Sequence, residues 1–334
     1  MNKENQSYKK QILVLLFLSP GIAELLSGSS PPLEFFQPLT LLLLIAFYGT
    51  GALLIREAWV RWRKSPYSLL LLGAAYGILE EGVLVKSFFS TTWPDLGILA
   101  WYGRWLGVNW IWAVMLTIYH AVFSIAIPII LAELAFPNTR NEQWLDSKGI
   151  KMVFIVFIGV STLFFISFRY EVPIVYLLSA LFVAVLLIAA AKKLAGKYPL
   201  GVEEPPGLVK LAVIGSSWST FLLIGPHLFG HLGISPTVCV LFLLASFIIL
   251  LKWVLRHSWH SKLKIFDVIT SPLWTLIVLA FIAEMDIERP DNMAGMSLVG
   301  LISVLFLIIA RKKLKGESRQ EETYLSIMIS WTII

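Results

Sequence analysis

Apolar runs of about twenty residues, joined by short polar or basic connections, recur from one end of this chain to the other. They lie at about 11 to 27, 39 to 60, 66 to 88, 109 to 136, 150 to 168, 173 to 195, 208 to 231, 235 to 256, 265 to 284 and 295 to 310. Most are long enough to cross a hydrocarbon core of roughly 30 Å. None shows the strict alternation of a lipid-facing strand, and only helices and closed barrels satisfy their own backbone groups in lipid. The pattern predicts an all-α polytopic integral membrane protein with about ten transmembrane helices.

The basic residues test this map independently. With a cytoplasmic N-terminus, 23 of the 27 Lys and Arg residues fall on the inner side. Only Lys86, Arg104, Arg169 and Arg289 fall outside. That is the asymmetry of the positive-inside rule, so both termini are predicted cytoplasmic. One helix too many or too few in the middle would scramble the count.

Composition agrees. A mean hydropathy of +0.79 and a charged fraction of 14% exclude an ordinary soluble domain, where charge is nearer a quarter of the residues. Topology and anionic lipid account for the net charge of +6, which implies no nucleic-acid partner. The expected surroundings are the lipid bilayer of a cell membrane, crossed many times, and the pattern specifies no oligomeric state. Residues 1–322 form one expected membrane domain, because the longest inner connections, near 137 to 149 and 196 to 207, are too short to fold alone. The apolar stretch 323–334 has only 12 residues and is expected to lie in the interface or pack on the bundle. The single cysteine, Cys239, excludes an intrachain disulfide and a thiolate metal cluster.

Candidate chemistry begins with Glu80 and Glu81, adjacent carboxylates well inside the third apolar run. Ionisable groups at bilayer depth are costly, which makes such a pair a functional hypothesis by default. Counted from Pro66 at the inner face, Glu80 lies about 21 Å up, and Glu24, counted from Gln11, about 20 Å. His120, counted down from Asn109, can share that layer. Glu81 shares a helical face with Gly77 and Gly73, small residues that let another helix approach. Neighbours on an α-helix point about 100° apart, so Glu80 is expected to face elsewhere, towards a polar cavity. His227 and His231 have the i, i+4 spacing that puts two imidazoles on one helical face, as metal ligands require. His120, His227 and His231 are therefore candidate ligands of a divalent metal such as zinc, and Glu80, Glu81, His120 and His227 the candidate catalytic set.

Other charged positions read as structural. Arg56 and Glu57 are expected to snorkel or to pair locally. Glu284, Asp286, Glu288 and Asp291 read as a solvated outer loop. The outer connection from Ser87 to Trp112, rich in Trp, reads either as an interfacial aromatic belt or as a hairpin lidding a cavity.

A Glu-Glu pair followed by a basic residue, a lone His in the next helix and a later pair of histidines (Glu80, Glu81, Lys86, His120, His227 and His231) resembles the intramembrane CAAX-protease and bacteriocin-processing superfamily. The resemblance implies a glutamate- or metal-dependent intramembrane protease, in which an acidic residue activates water and histidines hold a metal or stabilise an oxyanion. The leading expectation is therefore a membrane-embedded hydrolase acting on a membrane peptide or lipid-like substrate. A transporter or channel could use the same Glu and His residues for protons or cations, and a non-catalytic scaffold could use them to specify helix pairing.

Overall fold

The computed structural model describes residues 8–198, 201–286 and 291–332, with side chains described up to residue 317. Lys3, Glu288, Arg289 and the side chains of the 323–334 tail lie outside the described residues. Each predicted apolar run is helical. The helices are α1 (Lys9–Pro20), α2 (Pro38–Arg61), α3 (Pro66–Leu84), α4 (Trp110–Ala135), α5 (Ser147–Ser167), α6 (Ile174–Lys193), α7 (Leu208–His231) and α8 (Pro236–Arg256). They are followed by α9 (Lys262–Thr270), α10 (Leu273–Met285) and α11 (Met296–Thr332). Among the described residues seven helices, α2 to α8, are long and apolar enough to span, and α9 with α10 makes an eighth if that pair is one span. The pair is bent by 41°, so the single run predicted at 265–284 is in fact broken, at Ser271 and Pro272. The first and last runs are helical too, and α11 carries its helical backbone on into the predicted tail.

The starts of these helices are written in the sequence. Prolines with preset φ open α2, α3 and α8. Asn109 and Asp146 cap α4 and α5, their side chains accepting from Trp112 N at 3.0 Å and Gly149 N at 2.7 Å.

The most buried span, α4, separates two cores. On one side Ile125 and Ile129 pack with Leu15, Phe47, Tyr76 and Phe157. On the other Phe123 and Ile127 pack with Trp218, Leu243 and Leu276. The outer faces of α5, α6 and α8 expose Phe154, Ile155, Phe182, Leu241 and Phe242, an apolar surface that lipid covers and water would not tolerate.

The small-residue stripe on α3 does bring α4 close. A Cβ on Gly73 would sit 2.7 Å from Ala121 Cα, and one on Gly77 would sit 2.7 Å from His120 Cβ. Backbone cannot swing aside as a side chain can, so Gly73→Ala must push the helices apart. The expected cost is about 1–3 kcal/mol, read as a lower melting temperature in detergent; unchanged melting would show that this approach is not tight.

At the inner end Arg56 does not snorkel. Its side chain is fully buried. Nη1 donates to Glu57 Oε1 at 2.8 Å and to Glu142 O at 2.6 Å, Nη2 to Arg140 O at 3.0 Å, and Nε to Glu133 Oε1 at 3.3 Å. The guanidinium lies 3.7 Å from the Trp144 ring centroid. Lys64 Nζ donates to Glu133 Oε2 at 2.5 Å, and Trp144 N to Glu57 Oε1 at 2.9 Å. The ends of α2 and α4 and the connection between α4 and α5 are thereby tied to one cation.

On the outer side, two short strands, β1 (Arg104–Trp105) and β2 (Val108–Asn109), pair as an antiparallel hairpin. Trp101, Trp105 and Trp110 are exposed, in keeping with an aromatic belt, while Trp112 is buried. Glu284 is not merely solvated: it accepts from Gly295 N at 2.9 Å and Ser297 N at 2.6 Å, holding the start of α11.

Candidate functional site

Four helical segments leave α-helical geometry for one wider, i to i+5 bonded turn each. The turns are Gly21–Leu26 after α1, Ile45–Gly49 in α2, Leu79–Leu84 in α3 and His120–Ala126 in α4. Such turns are rare and gather at functional sites. Each carries a polar member of one cluster: Glu24, Tyr48, the Glu80 and Glu81 pair, and His120. Local sequence accommodates the widening. Pro128 has no N–H to give Ser124 O, four residues back, and the Ser19 hydroxyl donates there instead at 2.7 Å. A side chain at Gly49 would collide with Leu16 O, at 2.5 Å from its Cβ.

His120 is the hub. Its Nε2 lies 3.1 Å from Glu81 Oε1, and its Nδ1 lies 3.3 Å from Glu80 Oε2 and 2.9 Å from Ser124 Oγ. The Tyr48 hydroxyl bridges two carboxylates, bonding Glu80 Oε1 and lying 2.5 Å from Glu24 Oε1. Ser30 Oγ donates to Glu24 Oε2 at 3.0 Å. The Ser87 hydroxyl donates to Glu81 Oε2 and accepts from Trp112 Nε1 at 3.0 Å. Glu80, Glu81, Tyr48 and His120 are buried, while Glu24 at the outer end keeps some exposure. Both glutamates therefore meet the same imidazole, which corrects the expectation that Glu80 points elsewhere. The i to i+5 turn explains it, because it lowers the rotation between neighbours below that of an α-helix.

Two buried polar atoms here make no hydrogen bond, Glu80 Oε2 and the Tyr76 hydroxyl. The nearest basic atom to Glu80 Oε2 in the cluster is His120 Nδ1, at ion-pair rather than hydrogen-bond geometry. Tyr76 packs against the same imidazole, ring centroids 6.2 Å apart, with Glu80, Glu24 and Glu81 within electrostatic reach. Lys86 does not neutralise the pair: its Nζ donates to Phe165 O at 3.0 Å and Phe168 O at 2.7 Å, capping the end of α5. Burial holds that ammonium below its usual range.

One ligand atom from each of Glu80, Glu81 and His120 lies within 4.8 Å of the others. That spread suits one cation bound at about 2 Å from each donor. This buried group could hold a metal. Among the described residues it does not include His227 or His231, so the ligand set His120, His227 and His231 is not formed. His227 sits half-buried at the outer end of α7, beside Gly97 of the α3–α4 connection, and His231 is exposed one turn on. The i, i+4 spacing placed them on one face of a helix but could not say what that face meets.

A family model described as an uncharacterized membrane protein family matches residues 13–331, nearly the whole chain. No curated protein and no solved structure matches. The family assignment overturns the resemblance to the CAAX-protease and bacteriocin-processing superfamily. Geometry agrees, since two of the residues that carried that resemblance stand apart from the cluster: His227 at the outer end of α7 and Lys86 at the end of α5.

Proposed function

The chain belongs to that uncharacterized membrane protein family, and on that footing we propose that it is a membrane-embedded hydrolase whose Glu80, Glu81 and His120 hold a divalent cation such as zinc. The observation that carries the proposal is the approach of three ligand atoms to within 4.8 Å at the junction of four widened turns. Charge supports it. Three carboxylates share one imidazole here, with no Lys or Arg bonded to any of them among the described residues. In lipid such a group needs either protons or a cation.

A bound cation supplies the means of deprotonating water near neutral pH. The rest falls to the chain. Glu81 and His120 act as ligands alone, with Glu81 oriented by Ser87 and His120 by Ser124. Glu80 is the third ligand, and its carboxylate, with one oxygen free of hydrogen bonds, also takes the proton from water. The unpartnered Tyr76 hydroxyl donates to the oxygen on which negative charge develops. The substrate class is a membrane peptide or lipid-like molecule. A cation carrier would need the same group to open to both faces; beneath it Ser19 bonds Ser124 O and Tyr48 O, and Arg56 ties the inner ends together, which favours an enzyme.

Zinc content of the purified protein, after loading and removal of excess metal, tests this. About one ion per chain is expected, together with chelator-sensitive hydrolysis of a fluorogenic acyl ester or quenched peptide in proteoliposomes. Protein that retains no zinc would sink the reading, and zinc crossing sealed proteoliposomes without hydrolysis would replace it with a carrier.

A further inference from the structure

We propose that a groove at the outer surface, between the α3–α4 and α5–α6 connections, binds the phosphate of an anionic phospholipid headgroup. The site stands independently of the hydrolase reading. The groove holds about 250 Å³ and is walled by Trp93 and Phe168, whose ring centroids lie 5.6 Å apart. Ser90 and Thr92 bring hydroxyls to it, and Arg169 brings a guanidinium.

Charge placement carries the argument. The topology leaves four basic residues on the outer side; one of them, Arg169, lines this groove, and two more, Lys86 and Arg104, donate to the backbone carbonyls of Phe168 and Ser90, which line it. Lys86 and Arg104 pin its two lips. Lys86 donates to Phe165 O and Phe168 O, and Arg104 donates to Phe89 O at 3.0 Å and Ser90 O at 2.5 Å. Tyr170 adds a bond from its hydroxyl to Phe89 O at 3.0 Å. The lips are thus fixed by cations whose donors are spent on neutral carbonyls, and among the described residues no carboxylate pairs with either of them. Arg169 lines the groove, is exposed and forms no hydrogen bond or ion pair among the described residues, which leaves its donors free to meet an anion. Glu171, two positions on, is also exposed and is the nearest acid in sequence.

Phosphate is the anion this set fits. A guanidinium offers it two parallel N–H bonds, and hydroxyls offer further donors. The depth fits a lipid rather than a free ion, because the exposed Trp101, Trp105 and Trp110 of the adjoining connection mark the headgroup level, and aromatic walls suit the glycerol and upper acyl region.

The test is native mass spectrometry of the full chain in detergent with phosphatidylglycerol, phosphatidylcholine or inorganic phosphate added. Wild type is expected to retain phosphatidylglycerol roughly tenfold better than phosphatidylcholine, and Arg169→Gln to lose most of that preference, about one charge-assisted contact. Trp93→Ala is expected to weaken retention of both lipids. Equal retention by Arg169→Gln and wild type would overturn the proposal, as would displacement of the lipid by millimolar inorganic phosphate, which would mark a soluble-anion site. Zinc content read on the same samples reports on the buried site alone, so the two readings fail separately.

Discussion

Replacing Arg56 with methionine is expected to destabilise the protein by about 3–5 kcal/mol, more than any other single change at the inner face. The volume is nearly kept, so the loss is electrostatic. Without the guanidinium, Glu142 O and Arg140 O lose their donors, and Glu57 and Glu133 lose a buried partner. Arg61 and Lys64 still reach Glu57 and Glu133, at 3.3 Å and 2.5 Å, so the cost should sit at the lower end of that range. Arg56→Lys keeps the charge but not the planar stack on Trp144 or the fork of donors, and should fall between wild type and Arg56→Met. Adding Glu133→Gln to Arg56→Met should recover part of the loss, because Glu133 is then a buried carboxylate left with one cation, Lys64, where it had two. Apparent melting temperatures in detergent give the ranking. A double variant as unstable as the sum of the two single ones would show that the pair is not coupled.

The bundle was legible because hydropathy records what lipid demands: α7 and α8 lie within a residue of their predicted runs. Depth arithmetic also found Glu24, Glu80 and His120 in one layer, since helical rise is nearly constant whatever the side chains do. Azimuth was not legible. It turns on four i to i+5 turns that leave no mark in hydropathy, which is why Glu80 was aimed wrongly and Tyr48 was missed. A tyrosine in an apolar helix reads as core or belt; its neighbour Gly49, packed on Leu16 O, was the one local hint of a close approach. Ser87 and Trp112 were missed because they lie in a connection dominated by aromatic residues. Glu133 was passed over although it stands inside an apolar run as plainly as Glu80 does. His227 and His231 show the opposite error, in which a spacing common by chance borrowed weight from groups it never meets.

Removing a proposed ligand should have the largest functional effect. Glu81→Gln and His120→Ala are each expected to abolish stoichiometric zinc binding, because a set of three donors reduced to two no longer holds the ion against water. Glu80→Gln should do the same and, because Glu80 also takes the proton from water, remove hydrolysis even where zinc is restored by excess metal. Residues that only orient the ligands should cost less. Tyr48→Phe removes the hydroxyl bonded to Glu80, and Ser87→Ala the one bonded to Glu81, and each should weaken zinc by about 10- to 100-fold while leaving one site per chain. His227→Ala, remote from the group, should bind as wild type does. Isothermal titration with zinc, alongside melting curves to confirm folding, ranks the series. Wild-type affinity in Glu81→Gln or His120→Ala would place the metal elsewhere. A loss in His227→Ala equal to that in His120→Ala would mean the outer end of α7 reaches the cluster in solution.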